Sequence, residues 1–333
     1  MNILYSCDDK YSVYAGVSMT SLFENNKDMN EINVYIAGQN ISGENIGKLN
    51  ETAKNYGRNL VILDIDTEKI NKLMYDGGAE ELRGNMVAYF RLFVDELFGN
   101  SISRILYLDS DTIVVGSLSD IESFTFETDK ACAMVKDPAY IGYNKMIGLD
   151  ESDLYYNSGV LLIDLDNWRK LKCNDKIMQA IKEGNINYKF HDQDMLNVIL
   201  NKNIQTLDFR YNILSNITYF GSEVYRAIKE LDDHSFYSSN EIKDAIDNPV
   251  ILHVMRDLTG APWQKGNYNP YNDVWRKYKA ISLWSDKDDE QNDLELSMYM
   301  QRALLKVLPK KLYIYIHKLY NKMTVKDFKM RVL

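Results

Sequence analysis

Apolar and polar residues follow two different rhythms along the first two hundred positions of the chain. Short continuous apolar runs predict buried strands, whereas apolar residues three or four positions apart predict helices. We predict strands at 2–7, 32–36, 60–63, 104–108, 113–115, 131–135 and 160–165, and helices at 11–25, 43–55, 86–97 and 192–200. Strands that alternate with helices are typical of an α/β fold with a doubly wound, mainly parallel sheet. After residue 200 the pattern loosens, although the apolar run Val250–Leu252 precedes His253.

Two carboxylates stand at the end of one predicted strand. Asp109 and Asp111 flank Ser110 directly after the apolar run Ile105–Leu108. Ligands of α/β sheets gather outside the carboxyl ends of the strands, and two neighbouring acids are costly there unless a positive charge lies between them. A divalent cation with oxygen ligands meets this need. The alternative is a turn with solvated acids, because Asp is common where a strand ends.

The first strand also ends in acids. The carboxylate of Asp8 is suited to accept hydrogen bonds from a base or a ribose, and Tyr11 is suited to stack on a base. Asp8 or Asp9 is equally suited to cap the following helix, with Tyr11 packed on it.

Three other residues have a functional and a structural interpretation. Arg91 lies in an apolar segment, either as a snorkelling side chain or as a cation directed at an anionic ligand. Asp192 opens a predicted helix and is suited to cap it. A histidine such as His253 is more often structural than a ligand, unless its strand end faces the Asp109 and Asp111 site.

Composition and charge exclude several classes of function. No G-x-G-x-x-G follows the first strand and no G-x-x-x-x-G-K-[ST] occurs, which counts against a dinucleotide-binding dehydrogenase and a P-loop enzyme. The net charge is −9. Residues 302–333 carry nine Lys or Arg and one acid, or +8, so the remaining 301 residues carry −17. An acidic body of this kind is a poor nucleic-acid binder.

The cysteines and the N-terminus indicate a cytoplasmic location. The three cysteines lie far apart, which favours a reducing compartment. We expect neither a signal peptide nor a membrane-spanning segment.

The basic tail predicts an amphipathic helix. One face of this helix carries the apolar residues Leu312, Ile316, Leu319 and Met323, and beside it lie the lysines Lys311, Lys318 and Lys322. Such a helix suits an anionic membrane surface, which predicts a peripheral protein on the inner face of the cytoplasmic membrane. The alternative is a helix packed on the acidic body. The charged stretch 285–293 divides a predicted domain at 1–284 from a linker and tail at 285–333.

Several sequence blocks, in this order, resemble glycosyltransferase family 8. The blocks are ILYSCDDKY, AYFRLF, ILYLDSDTIVVGSL, YYNSGVLLIDLDNWR, HDQDMLN and ILHVM. The resemblance runs from residue 1 to about residue 275 and is strongest to bacterial galactosyl- and glucosyltransferases of lipopolysaccharide synthesis, with glycogenin more distant. It implies a Rossmann-like GT-A fold, here with a C-terminal helical extension, and a retaining transferase that uses a nucleotide sugar.

The resemblance also implies roles for individual residues. Asp109, Asp111 and His253 would bind Mn²⁺, with Mg²⁺ as an alternative ion. The positions implied to contact the UDP-sugar donor are Asp8 and Tyr11 at the uracil, Ser110 at the ribose, Arg91, Asn157 and Asp192 at the sugar or phosphates, and Asp137 near the sugars. Gln193 corresponds to the position near the anomeric carbon, so Gln193 and Asp192 are the candidate catalytic residues.

One segment departs from the family pattern. The metal-binding His usually opens H-x-x-G-x-x-K-P-W, but this chain has HVMRDLTGAPW. Ala261 therefore stands where a phosphate-binding Lys is expected, and we expect Arg256 or Lys265 to supply that cation. Lys10 replaces a commoner Asn near the nucleoside.

These expectations combine into one hypothesis about function. The chain would move galactose or glucose from a UDP-sugar to a glycan or glycolipid acceptor such as a lipopolysaccharide, capsular or other surface glycan. Because glutamine is a poor nucleophile, we favour same-face attack over the carboxylate nucleophile of retaining glycosidases. Two alternatives remain: a Mg²⁺-dependent phosphohydrolase of the haloacid dehalogenase type, which uses D-x-D-x-T, and a non-catalytic sugar-nucleotide or glycan-binding protein.

Overall fold

The fold is given by a computed structural model, which describes residues 1–82, 84–138, 142–184, 186, 188–292 and 294–320. Its strands are β1 (Asn2–Asp8), β2 (Asn33–Gln39), β3 (Asn59–Ile62), β4 (Arg104–Leu108), β5 (Thr112–Val114), β6 (Cys132–Lys136), β7 (Tyr156–Asp164), β8 (Ile204–Thr206), β9 (Ile213–Leu214) and β10 (Ile251–His253). The helices of the first two hundred residues are α1 (Asp9–Glu24), α2 (Gly43–Asn55), α3 (Thr67–Asp76), α4 (Val94–Phe98), α5 (Ser119–Glu122), α6 (Tyr143–Met146), α7 (Leu165–Lys170), α8 (Cys173–Glu183) and α9 (His191–Leu200). Those that follow are α10 (Ser215–Phe220), α11 (Ser222–Lys229), α12 (Ser239–Asp247), α13 (Asn272–Ile281) and α14 (Leu296–Val307), and residues 310–320 are also helical.

The central sheet confirms the predicted α/β architecture. It has seven strands in the order β3-β2-β1-β4-β7-β6-β8. Neighbours are parallel from β3 to β4 and between β6 and β8, and only β7 runs antiparallel to its neighbours. The chain moves outward from β1 to β3 and then returns to place β4 on the other side of β1. The carboxyl ends of β1 and β4 therefore lie side by side at a topological switch point, where α/β sheets bind ligands.

A small second sheet joins distant parts of the chain at this switch point. Its strand order is β5-β10-β9. β5 follows Asp111 directly, and its antiparallel pairing with β10 sets His253 opposite Thr112. β9 lies parallel on the other side of β10, with Leu214 opposite His253. This pairing carries His253 to the end of β4.

The helices agree less closely with the sequence analysis than the strands do. The predicted helix at 86–97 is a 3₁₀ segment, Val87–Phe93, followed by the short helix α4. Nearly all of its side chains are buried, so burial rather than one apolar face selects its conformation. Helices α3, α8 and α10 to α13 were not predicted, because they are short and largely polar.

The terminal helical segment 310–320 packs on the body through one face. Tyr313 is buried against Val224 and Ile228 of α11, while Leu312 and Leu319 are each 45% exposed. The buried face is therefore about one residue, or about 100°, away from the face predicted to be apolar. Tertiary packing selected the tyrosine because α11 offers an apolar groove for its ring.

Ion pairs support this packing. Lys310 and Lys318 approach Glu223 and Glu230 at 3.8 and 2.8 Å. One face of the segment 310–320 thus packs on the acidic body, as the alternative interpretation expects. Binding of its other face to a membrane remains a prediction. Its members Met323 and Lys322 lie outside the described residues.

The predicted boundary at residue 285 also remains a prediction. Glu290, inside the predicted linker, bonds through its backbone N–H to Trp263 O at 2.8 Å and accepts from Lys265 N at 2.9 Å. Its carboxylate pairs with Lys10. Within the described part of the chain, every helix is too short or too polar to span a bilayer.

Candidate functional site

A cavity of about 690 Å³ opens at the carboxyl ends of β1 and β4. With one exception, Lys265, it brings together the side chains predicted to bind the metal ion or the donor or to take part in catalysis. The lining includes Asp8, Tyr11, Arg91, Asp109, Ser110, Asp111, Asp137, Asn157, Asp192, Gln193, His253 and Arg256. These residues come from both sheets and from the loops and helices that follow their strands.

Three of these side chains form a group suited to a metal ion. Asp109, Asp111 and His253 each offer a ligand atom, and these atoms all lie within 4.8 Å of one another. His253 Nε2 is 3.1 Å from Asp111 Oδ1 and 3.8 Å from Asp109 Oδ2. Burial lowers the pKa of His253, but the two carboxylates outweigh it and raise that pKa above its usual value.

The other ring nitrogen of His253 is held by Asn212. Its Nδ1 lies 3.1 Å from Asn212 Oδ1, and Asn212 Nδ2 donates to Asn157 Oδ1 at 2.8 Å. Because the amide nitrogen of Asn212 is engaged elsewhere, its oxygen faces the ring, and Nδ1 carries the proton. Nε2 is then the ring atom that would ligate a cation held between the two carboxylates.

A glycine leaves room for this group. A Cβ added to Gly159 would lie 2.2 Å from His253 Cε1 and 2.8 Å from Asp109 Oδ2. Two carboxylates and one imidazole, set in a space that a methyl group would fill, fit a divalent cation such as Mn²⁺ or Mg²⁺.

Arg91 joins two carboxylates below the cavity floor. Its guanidinium donates to Asp109 Oδ1 at 2.7 Å and lies 3.1 Å from Asp192 Oδ2. It also donates to Ser158 O and stacks 4.1 Å above the Tyr107 ring. With only 3% of its surface exposed, Arg91 is not a snorkelling side chain. Its charge first neutralises protein carboxylates, so the predicted contact with an anionic ligand remains a prediction.

Asp192 does not cap its helix. Helix α9 begins at His191 after Phe190, which makes no side-chain cap, whereas Asp192 accepts from Ser158 Oγ at 3.1 Å. Burial raises the pKa of Asp192 to about 6, although Arg91 opposes this shift. The backbone of His191 has φ of 46°, in the sparsely occupied left-handed region. This turn directs the start of α9 toward the cavity.

Both the oxygen and the nitrogen of the Gln193 side-chain amide are hydrogen-bonded. Its Oε1 accepts from the backbone N–H of Ser158 at 3.2 Å, and its Nε2 donates to the Tyr155 hydroxyl at 3.1 Å. The side chain is thus fixed on the cavity wall, which suits an orienting group.

The far end of the cavity is formed around β1. Asp8 is the cap of α1: it accepts from Tyr11 N at 2.7 Å, and its second oxygen accepts from Asn85 Nδ2 at 2.7 Å. Asp9 turns away and accepts from Ser42 N. Ser110 is buried between β1 and β4 and donates to Ser6 O at 3.3 Å.

Sequence reasoning missed a half-buried lysine in the opposite wall. Lys229 of α11 lies 3.5 Å from Asp137 Oδ1 and donates to Pro138 O and to the Tyr225 hydroxyl. Burial lowers its pKa, although Asp137 opposes the shift. Tyr225 also donates to Asp137, at 3.1 Å. The missed signal was a lysine four residues after Tyr225, on the apolar face of α11.

Arg256 and Lys265, the two candidates to replace the missing phosphate-binding lysine, lie in different environments. Arg256 is half-buried and lines the cavity. Lys265 is exposed, and the cavity lining among the described residues does not include it. Of the two, Arg256 is the one that lines the cavity, and its contact with a phosphate remains a prediction.

Known proteins resemble this chain in sequence and in fold. Over 319 residues the chain is 27% identical to the lipopolysaccharide 1,2-glucosyltransferase of Escherichia coli (strain K12), covering 94% of this chain and 87% of that protein. It is also 27% identical to general stress protein A of Bacillus subtilis (strain 168), covering 86% and 95%. The solved structure of the galactosyltransferase LgtC with donor and acceptor sugar analogs shares the fold. Its TM-score is 0.68 at 21% identity, covering 85% of this chain and 96% of that one.

The sequence model of glycosyl transferase family 8 matches residues 2–265. This match favours a glycosyltransferase over the phosphohydrolase and the non-catalytic alternatives. The D-x-D-x-T sequence follows β4, in the middle of the sheet, and its first Asp is bound by Arg91 and Tyr107. The chain therefore belongs to glycosyl transferase family 8 and is a glycosyltransferase.

Proposed function

We propose that this glycosyltransferase is a retaining hexosyltransferase that moves galactose or glucose from a UDP-sugar to a surface glycan. The observation that carries the proposal is the group of Asp109, Asp111 and His253 in the middle of one cavity. A nucleoside diphosphate needs positive charge at its phosphates, and this group can hold a divalent cation there. Relatives named as lipopolysaccharide glucosyl- and galactosyltransferases support the hexose and the acceptor class.

The nucleoside would occupy the end of the cavity at β1. Asp8 has one carboxylate oxygen at the helix cap and the other at Asn85, so its remaining lone pairs can accept from uracil N–H. Tyr11 presents its ring at the same end, where a base can stack. Ser110 lies between this end and the metal group, which suits the ribose.

Asp109, Asp111 and His253 would hold Mn²⁺ or Mg²⁺, which when bound supplies the positive charge that stabilises the departing diphosphate. Arg91 orients Asp109 through its 2.7 Å hydrogen bond. Arg256 supplies a second positive charge beside the diphosphate. These fixed charges lower the barrier because they face the oxygen on which negative charge develops.

The wall around the donor sugar favours same-face attack. The amide of Gln193 is not a nucleophile, and both its ends are engaged. The carboxylate of Asp192 is buried and paired with Arg91, and that of Asp137 is bonded to Tyr225 and Lys229. With these carboxylates engaged, the departing phosphate oxygen accepts the proton of the incoming hydroxyl, and that hydroxyl attacks from the face the phosphate leaves. Asp192 and Gln193 then orient the sugar.

The acceptor is proposed to be a glycan or glycolipid at the inner face of the cytoplasmic membrane. The terminal helical segment exposes Leu312, Tyr315 and Leu319, and lysines accompany them along the tail. Exposed apolar side chains between lysines suit an anionic membrane surface.

A donor panel tests the proposal. UDP release is measured from UDP-galactose, UDP-glucose and GDP-mannose, each with Mn²⁺, with Mg²⁺ and with a chelator. We expect release from one of the two UDP-hexoses only when the ion is present, and its loss in Asp111→Asn. Release that is equal with and without the ion would contradict the proposed metal group.

Two substitutions at Gln193 separate the mechanisms. An orienting amide predicts that Gln193→Ala lowers turnover while the product keeps the donor's anomeric configuration. Turnover unchanged in Gln193→Ala and Gln193→Glu would remove this residue from the mechanism.

A further inference from the structure

The C-terminal helices form part of the cavity wall. Met298 and Gln301 of α14 line the cavity, and so do His317 and Tyr320 of the segment 310–320. These residues lie in the part of the chain that sequence analysis assigned to a membrane-associating tail. The tail thus contributes side chains to the same cavity as the metal group.

The position of this wall follows from its packing on α11. Tyr313 is buried between Val224 and Ile228 on one side of α11. Tyr225 and Lys229 of the same helix contact Asp137 inside the cavity. The segment 310–320 therefore adjoins the side of the cavity that holds Asp137.

The side chains of the wall suit a carbohydrate. Tyr320 and Met298 offer polarisable apolar surface for the C–H faces of a sugar ring, and Gln301 and His317 offer groups for its hydroxyls. His317 Nδ1 is buried and has no hydrogen-bond partner among the described residues. An unsatisfied buried nitrogen is costly, and a hydroxyl of a bound ligand would satisfy it. The Phe220 ring lies edge-on to the imidazole, with their centroids 6.2 Å apart, and holds it in place.

We propose that α14 and the segment 310–320 form the acceptor-binding wall, with Met298, Gln301, His317 and Tyr320 in contact with the acceptor saccharide. This inference rests on the proposed function, because it takes the nucleoside end and the metal group as the donor site. The remaining end of the cavity is then the place for the acceptor. The opposite face of the same segment exposes Leu312, Tyr315 and Leu319. The segment 310–320 would therefore contact the acceptor through one face and expose apolar residues to solvent on the opposite face.

Paired variants test the inference. The wall variants are Met298→Ala, His317→Ala, His317→Gln and Tyr320→Ala. The matched controls are Met300→Ala on α14 and Tyr315→Ala on the terminal segment, which are 59% and 61% exposed and do not line the cavity. UDP release is measured from the preferred UDP-hexose, first to water alone and then with rising concentrations of lactose, maltose and gentiobiose as acceptor probes.

We expect the wall variants to raise the KM of the acceptor probe about tenfold. Release to water and the KM of the donor should stay within about twofold of the wild type. His317→Gln, which keeps a hydrogen-bonding group, should recover part of the loss. The controls should match the wild type in every measurement, and thermal melting confirms that each variant is folded.

Three results would overturn the inference. The first is an acceptor KM that is the same in wall variants and controls. The second is a wild-type chain that releases UDP to water but is not saturated by any of the disaccharides. The third is no UDP release from any donor, which overturns the proposed function and with it the inference that rests on it.

Discussion

His253 Nε2 lies 3.1 Å from Asp111 Oδ1, although 142 residues separate them in the chain. The antiparallel pairing of β10 with β5 brings them together, because β5 starts at the residue after Asp111. The imidazole is then aligned by Asn212, which precedes β9 on the other side of β10. The small sheet thus positions His253 beside Asp111 in the metal group.

Removal of the Asn212 amide should weaken metal binding without removing a ligand. Asn212→Ala deprives His253 Nδ1 of its partner, so the ring loses its fixed tautomer and orientation. We expect Mn²⁺ affinity, measured by isothermal titration calorimetry, to fall by about 10- to 100-fold. The exposed Asn50→Ala serves as control. An Asn212→Ala affinity equal to that of the control would exclude the alignment role.

A methyl group at Gly159 should displace the metal ligands. Gly159→Ala places a Cβ 2.2 Å from His253 Cε1, inside the volume of the ring. We expect a loss of about 1–3 kcal/mol in the free energy of unfolding, together with loss of Mn²⁺ binding.

A matched glycine provides the control. Gly47 of α2 has open space around its Cβ position, so Gly47→Ala should stabilise the protein by about 0.5–1 kcal/mol. Urea unfolding and calorimetry measure both variants. Normal Mn²⁺ binding by Gly159→Ala would show that the site tolerates the displacement.

Asp192 should make folding stability depend on pH in the mildly acidic range. Burial raises the pKa of Asp192 to about 6, above the value of about 3.9 in an unfolded chain. Because the folded pKa is the higher one, its stabilising contribution is fully present below pH of about 4 and is lost as pH rises through about 6. Arg91 and Asp109 are the charged groups nearest to it.

The comparison with Asp192→Asn isolates this effect. Between pH 4 and pH 7 we expect the free energy of unfolding of the wild type to fall by about 2 kcal/mol relative to the variant. Urea titrations at four pH values measure the difference, with the exposed Asp28→Asn as control. A difference that does not change with pH would show that Asp192 stays ionised throughout this range.

Arg256 and Lys265 should differ sharply in their effect on turnover. Arg256 lines the cavity and Lys265 does not. If Arg256 stabilises the departing diphosphate, Arg256→Ala should lower kcat about 100-fold, whereas Lys265→Ala should stay within about twofold. Steady-state UDP release measures both. The reverse order would assign the phosphate contact to Lys265.

The exposed apolar residues of the terminal segment should govern binding to vesicles. Leu312→Asp with Leu319→Asp should reduce sedimentation with phosphatidylglycerol vesicles at least about fivefold, because each buried aspartate loses its hydration. Ile281→Asp, at another exposed apolar position, is the control. Equal sedimentation of the two variants, or full sedimentation of a chain truncated at Ser285, would exclude the tail as the anchor.

The central strands and the carboxylates at their ends could be predicted from the sequence. The runs Asn2–Cys7 and Arg104–Leu108 are apolar enough to predict buried strands, and parallel strands place their carboxyl ends together. The location of Asp8, Asp109 and Asp111 at one edge of the sheet follows from that rule alone, because the rule requires only local apolarity and the chain direction. The resemblance to the family then added His253, Gln193 and Asp192.

The partners of these residues were decided only by tertiary structure. Asn212 meets His253 through strand pairing between distant segments, and Lys229 meets Asp137 because α11 packs across the cavity. In the tail, periodicity predicted an apolar face with Leu312 and Leu319, but it could not show that the groove on α11 accepts Tyr313. The local pattern of apolar residues indicates where strands and helices form, because each element buries its apolar residues at its own characteristic spacing. Which faces meet depends on the shape and charge of surfaces that exist only once the chain has folded.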